Sequence, residues 1–193
     1  MKKKIIIIML GALLCCGGVA QAMNNIDFYS DGVIQDGNNF YNVTLHSSAI
    51  VNMTGGIIES IIKTYDNSVI NISGGILQHG EIDLYDSSIL NLSGGTFEVD
   101  NWVTWIYPMD QSIVNVYGSG LTLSPFLSNN TIASGYWANG DDFRLAFGRT
   151  NFNSPQIILH EIPEPATISL LLIGIVGMRK LKHQKSYCSK QFI

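Results

Sequence analysis

A nine-residue phrase recurs through the middle of this chain and limits what it can fold into. Residues 67–75 read NSVINISGG, with near-copies at 48–56 (SAIVNMTGG) and 87–95 (SSILNLSGG) and a blurred copy at 111–119 (QSIVNVYGS). The shared asparagine falls at Asn52, Asn71, Asn91 and Asn115, so the copies are 19, 20 and 24 residues apart. A period near 20 built from strand-type residues is the signature of a solenoid. Each coil of a solenoid buries its apolar residues only by stacking on the next.

Two further themes keep the same period. One is Gly32-Val33-Ile34-Gln35, repeated as Gly56-Ile57-Ile58-Glu59, Gly75-Ile76-Leu77-Gln78 and Gly95-Thr96-Phe97-Glu98. The other precedes each asparagine strand: Val43-Thr44-Leu45, Ile62-Lys63-Thr64, Ile82-Asp83-Leu84 and Ile106-Tyr107-Pro108. Each coil therefore carries about three short strands with glycine or polar turns between them. The expected fold is all-β: a single-stranded parallel β-solenoid (a right-handed β-helix) of about 4–5 coils of ~20 residues, rising about 4.8 Å per coil. A C-terminal hydrophobic helix is expected to follow it.

Alternate residues of a strand share a face. That rule points Val51, Ile70, Leu90 and Val114 inward, with Met53, Ile72, Leu92 and Val116 beside them. Ala49, Ser68, Ser88 and Ser112 share their parity and are small enough to let the coil turn. The opposite parity holds Ile50, Val69, Ile89 and Ile113, then the asparagines, whose amides can bond to one another along the axis. The expected role of Asn52, Asn71, Asn91 and Asn115 is structural. The Gly pairs 55–56, 74–75 and 94–95 are predicted to supply positive φ at a tight corner. Asn42, Asn52, Asn71, Asn91 and Asn129 begin N-x-S/T sequons, which a repeat of this composition produces by itself, so glycosylation is not implied.

After Gly120 the period fails. Residues 121–161 are expected to form a β-rich cap over the open end, with closing strands at 143–147 and 156–160 and with Trp137, Phe143 and Phe147 filling the hole. The predicted division is a signal peptide at 1–22, solenoid repeats at 23–120, the cap at 121–161, a sorting or transmembrane segment at 162–182 and a basic cytoplasmic tail at 183–193.

The two ends are unlike the middle. Lys2, Lys3 and Lys4, an apolar run at 5–20 and the A-x-A triplet Ala20-Gln21-Ala22 read as a secretory signal peptide cleaved after Ala22. Cleavage removes Cys15 and Cys16, so the exported part lacks disulfides and must be held by stacking and burial. At the other end Ile162-Pro163-Glu164-Pro165-Ala166-Thr167 precedes the apolar run 168–178 and the basic block Arg179-Lys180-Leu181-Lys182, a membrane stop of cytoplasmic sign. As a helix the run 166–178 would be about 20 Å long, short of the roughly 30 Å hydrocarbon core, so spanning would need snorkelling lysines or local thinning.

The stretch 162–182 resembles the PEP-CTERM sorting signal of bacterial exported proteins, in which a Pro-Glu-Pro motif, a short apolar segment and a basic cluster follow one another. The resemblance implies recognition of Pro163, Glu164 and Pro165 by an exosortase and removal of the tail near that motif. Delivery to the cell surface or to an exopolysaccharide matrix would follow. The precursor would be held in the membrane by the same segment.

Charge narrows the partners. Three of the eleven basic residues precede the first apolar run and five follow the second, leaving Lys63, Arg144 and Arg149 against fifteen acids, a formal charge of −12 (3 − 15). Such a surface argues against a nucleic-acid partner. Asp27, Asp31 and Asp36 flank Gly32 and Gly37, where carboxylates beside glycine turns could hold Ca2+, although the spacing is not that of an EF-hand. No other cofactor is expected.

Parallel β-helices include enzymes acting on polysaccharides, and glycoside hydrolysis needs two carboxylates across a bond. Asp83 and Asp86 are the nearest candidates, with Asp66 stacked near Asp86. His46, His79 and His160 look like isolated turn or surface residues. The sequence holds no Ser/His/Asp set, no metal-type His pair and no phosphate loop. The expected function is therefore an exported, non-enzymatic structural or adhesive protein of the surface or matrix. The first alternative is a carbohydrate-binding module using Trp102, Trp105 and Tyr107, whose flat rings can stack on sugar faces. The second is a minimal polysaccharide lyase or hydrolase.

Overall fold

The computed structural model describes residues 24–97, 104–126, 130–148 and 156–163. Ala20, Ala22, Trp102, Glu164, Pro165, Arg179, Lys180 and Lys182, with the predicted signal peptide and C-terminal helix, lie outside the described residues. Pro163 is the last residue described and is exposed.

Within the described residues the regular structure is β throughout. The strands are β1 (Asn24–Phe28), β2 (Gly32–Ile34), β3 (Asn39–Leu45), β4 (Ile50–Ile58), β5 (Ile61–Thr64), β6 (Val69–Leu77) and β7 (Glu81–Leu84). They continue as β8 (Ile89–Leu92), β9 (Thr96–Phe97), β10 (Thr104–Pro108), β11 (Ile113–Phe126), β12 (Asn130–Tyr136), β13 (Asp142–Phe147) and β14 (Ile157–Glu161). Together they wind into a parallel β-solenoid of about four turns.

The solenoid has three faces. On the first, β1, β3, β5, β7, β10 and β13 stack in parallel. On the second, β2, β4, β6, β8, β11 and β14 do the same. The third is narrow, running from Asn39 to Ile57, Ile76 and Thr96. β4 and β6 bend from the second face to the third at the paired glycines.

The register places like over like. Val51, Ile70, Leu90 and Val114 are consecutive partners, as are Met53, Ile72, Leu92 and Val116. None of these eight is more than 2 % exposed. Val43, Ile62, Ile82 and Ile106 oppose them from the first face at 0 %. A fully buried aliphatic side chain contributes about 1.5–3 kcal/mol, so these three columns carry most of the driving force. Ala49, Ser68, Ser88 and Ser112 are buried at the corner between first and second faces. There Ser88 Oγ accepts from Thr64 Oγ1 at 2.9 Å, and the Ser68 and Ser112 hydroxyls donate to Tyr65 and Met109 carbonyls three residues back.

At the next corner Gly56, Gly75 and Gly95 take φ of +79°, +88° and +103°. A Cβ on Gly75 would stand 2.6 Å from the Gly55 carbonyl oxygen of the coil below. At Gly75 the corner therefore excludes a side chain by contact as well as by φ.

Both ends of the core are closed by rings. At the N-terminal end the Phe28 ring occupies the space where Gly32 would carry a Cβ. At the other end β11 runs on to Phe126 and returns antiparallel as β12, which pairs antiparallel with β13. β13 then lies parallel on β10, with Ile106 opposite Phe147, and β14 lies parallel on β11. The aperiodic segment is thus a hairpin inserted into a last coil that keeps the register. Trp137 and Phe143 stack at 3.8 Å, and Phe147 is fully buried.

Candidate functional site

Outward-pointing residues form columns as regular as the core. On the first face the register and alternation generate three of them. The left column runs Asn25, Asn42, Ile61, Glu81 and Trp105, and the middle one Asp27, Thr44, Lys63, Asp83 and Tyr107. The right column lies at the turn just after each strand and is aromatic. Tyr29, His46, Tyr65 and Tyr85 stack with centroids 4.6, 5.4 and 4.8 Å apart and planes within 9°. His46 is therefore one ring of a π-stack, not an isolated turn residue.

Beside this stack the aspartates of the turn are engaged with backbone. Ser47, Asp66, Asp86 and Asp110 have φ of 61°, 59°, 55° and 55°, a left-handed conformation that Asp tolerates. The Asp66 carboxylate accepts the Ser47 N–H at 2.7 Å, Asp86 accepts that of Asp66 at 3.0 Å, and Asp110 accepts that of Asp86 at 3.2 Å. Asp83 and Asp86, the candidate catalytic pair, meet different neighbours. Asp86 is turned to the preceding coil, while Asp83 sits on the first face, only 7 % exposed.

The asparagine ladder closes on the second face as expected. Asn71 Nδ2 donates to Asn52 Oδ1 at 2.8 Å, Asn91 to Asn71 at 2.7 Å and Asn115 to Asn91 at 2.8 Å. His160 Nε2 lies 2.9 Å from Asn115 Oδ1, and an amide oxygen can only accept, so this nitrogen carries the proton. The ring also stacks on Tyr117 at 4.4 Å. His160 thus caps the ladder, where the sequence suggests only a surface residue.

Of the aromatics expected to meet sugar, Trp105 and Tyr107 are neighbours on β10, half-buried, with near-parallel rings 6.0 Å apart at 15°. Phe126 meets Trp105 at 6.2 Å with a 45° tilt, and the Tyr107 ring lies over Gly148. The register sets Glu81 against Trp105 and Asp83 against Tyr107. Burial and then the Asp83 carboxylate hold the Tyr85 phenol above its ordinary pKa, with Tyr65 and Glu81 adding to the effect.

The three aspartates considered for calcium diverge. Asp27 is on the first face, Asp31 Oδ1 accepts the Ile50 N–H at 2.9 Å, and Asp36 lies in the turn after β2. Among the described residues no group of three or more His, Cys, Asp or Glu could hold a metal ion. No described helix is long and apolar enough to cross a membrane. Comparison with protein-family models, with curated proteins and with solved structures finds no match.

Proposed function

We propose that this chain is an exported, non-enzymatic structural or adhesive protein, sorted by an exosortase to the cell surface or exopolysaccharide matrix. One observation carries the non-enzymatic part. The polar side chains that repeat along the solenoid are spent on coil-to-coil bonds, carboxylate to backbone at Asp66, Asp86 and Asp110 and amide to amide at Asn52, Asn71, Asn91 and Asn115. Such ladders stiffen a rod that lacks disulfides, which suits a matrix component.

The export part rests on the sequence at both ends. In this reading the rod winds with a right hand, 1–22 are removed after Ala22, and 166–178 form a short membrane helix stopped by Arg179, Lys180 and Lys182. The exosortase then acts at Pro163, Glu164 and Pro165. Mass spectrometry of the surface-exposed protein tests it: a new C-terminus near Pro163 supports sorting, and an intact Ile193 sinks it.

A carbohydrate-binding role for the first face is the second reading, favoured by the adjacent Trp105 and Tyr107 rings.

A further inference from the structure

On the first face the outward residues of β7 and β10 differ in kind. Two carboxylates occupy adjacent outward positions of β7, about 6.6 Å apart as i and i+2 of a strand. Their register partners on β10, one strand spacing of about 4.8 Å away, are two aromatic rings: Glu81 meets Trp105 and Asp83 meets Tyr107.

The two rows ask for different things of a ligand. Half-buried flat rings favour the apolar face of a pyranose, and ring faces also attract cations. Carboxylates beside them accept hydrogen bonds, strongest when the donor is itself charged. A neutral sugar stacks on the rings and donates uncharged hydroxyl bonds to the carboxylates, and a uronic acid is repelled by them. A sugar carrying an ammonium group stacks on the rings and donates charged bonds, the stronger kind. Among the described residues, Lys63 is registered with Asp83 on the edge away from the rings, and Arg144 is exposed on β13, two residues from the Ala146 that partners Trp105. The formal charge of −12 between the two apolar runs, three cations against fifteen acids, draws the same class of ligand toward the protein.

We propose that the 2 × 2 block of Glu81, Asp83, Trp105 and Tyr107 is a binding site for a cationic glycan, a chain of amino sugars with free amines. The ammonium sits between the Glu81 carboxylate and the Trp105 ring, and the next sugar lies over Tyr107 beside Asp83. Tyr85, just after β7, borders the Asp83 carboxylate, and Phe126 backs Trp105, so these two have neighbours in place before a ligand arrives.

The inference rests on the matrix reading only for its choice of a polysaccharide, and its test is separate from that of sorting. Calorimetry of the full chain with a glucosamine hexamer, its fully N-acetylated counterpart and a uronic acid hexamer decides it. The glucosamine hexamer binds at least about tenfold tighter than the acetylated one, and the uronic acid does not bind. Glu81→Gln and Trp105→Ala each weaken binding by about fivefold or more. Asp86→Asn, the same charge change at the corner turn, leaves it unaltered. Equal affinity for the acetylated hexamer, no binding of the amine form, or an equal loss in Asp86→Asn would each overturn the site. A new C-terminus near Pro163 would stand whichever result is obtained.

Discussion

Replacing Asn71 by alanine separates a cooperative ladder from a row of independent amides. Asn71 donates to Asn52 and accepts from Asn91 at 2.8 and 2.7 Å, so its removal deletes two bonds. At about 1 kcal/mol net per bond the loss is about 2 kcal/mol. Asn52 stands at the end of the row, where the register sets Val33 beyond it, and its ladder bond is the one from Asn71. Asn52→Ala therefore costs about 1 kcal/mol. The strand propensity of alanine enters both variants alike and cancels in the difference. In the double variant the shared bond can be lost only once, so the total is about 2 kcal/mol, and the cycle returns a coupling of about 1 kcal/mol. Urea unfolding followed by circular dichroism reads this directly. With a urea slope of about 2 kcal/mol per molar, Asn71→Ala lowers the midpoint by about 1 M and Asn52→Ala by about half that. Equal midpoints for the two single variants, or strict additivity in the double, would refute the argument.

Three further outcomes follow from the packing. Leu90→Ala removes a side chain at 0 % exposure that neighbouring coils cannot collapse around, and lowers stability by about 2–5 kcal/mol in the same assay. Gly75→Ala combines positive φ with a Cβ 2.6 Å from a carbonyl oxygen, whereas at Gly37 φ is similar and a Cβ meets nothing within 4 Å. The first is therefore expected to lose clearly more than the about 1–2 kcal/mol of left-handed strain that the second shows. The Tyr85 phenol keeps its proton longer in the folded chain than at its ordinary value of 10.0. Its contribution to stability is complete below pH 10 and is lost as pH rises through the raised folded value. Above pH 10 the wild-type unfolding midpoint should fall more steeply than that of Tyr85→Phe, and parallel curves would remove the effect.

The columns that were legible in the sequence are those whose residue type repeats. Val51, Ile70, Leu90 and Val114 share parity and class in every copy, and the asparagines are identical, so stacking them in register leaves one solution. The aromatic stack was harder to see because its rung changes identity, with His46 standing between tyrosines, although each ring directly follows a strand of the third theme or, for Tyr29, of β1. Asp66 could be stacked near Asp86 from the repeat, but which N–H each accepts, and that Asp110 continues the row, depends on a neighbouring coil. The last coil was hidden for a different reason. Inserting β12 between β11 and β13 breaks the period, so β13 and β14 read as a separate cap although they continue the first and second faces. The block of Glu81, Asp83, Trp105 and Tyr107 was half visible: the rings stood out by type, but their pairing with β7 is a matter of register alone.

The way each end is finished limits growth of the stack. A solenoid coil exposes unpaired backbone on its terminal strands, and a second copy could in principle extend it. At the N-terminal end β1 pairs with β3 and β2 with β4, so among the described residues both leave an outer edge, and β2 is only three residues long. At the opposite end the first face is already taken, because antiparallel β12 covers β13. That leaves β14 on the second face, with Glu161 at its end turned to the Gly120 and Leu121 N–H groups. Among the described residues, then, a second copy arriving head to tail finds one strand to pair where two are offered. The Phe28 ring over Gly32 also fills the N-terminal end of the core. The hairpin that interrupts the repeat thus covers the last strand of the first face and leaves β14 as the one described strand of that end with an open side.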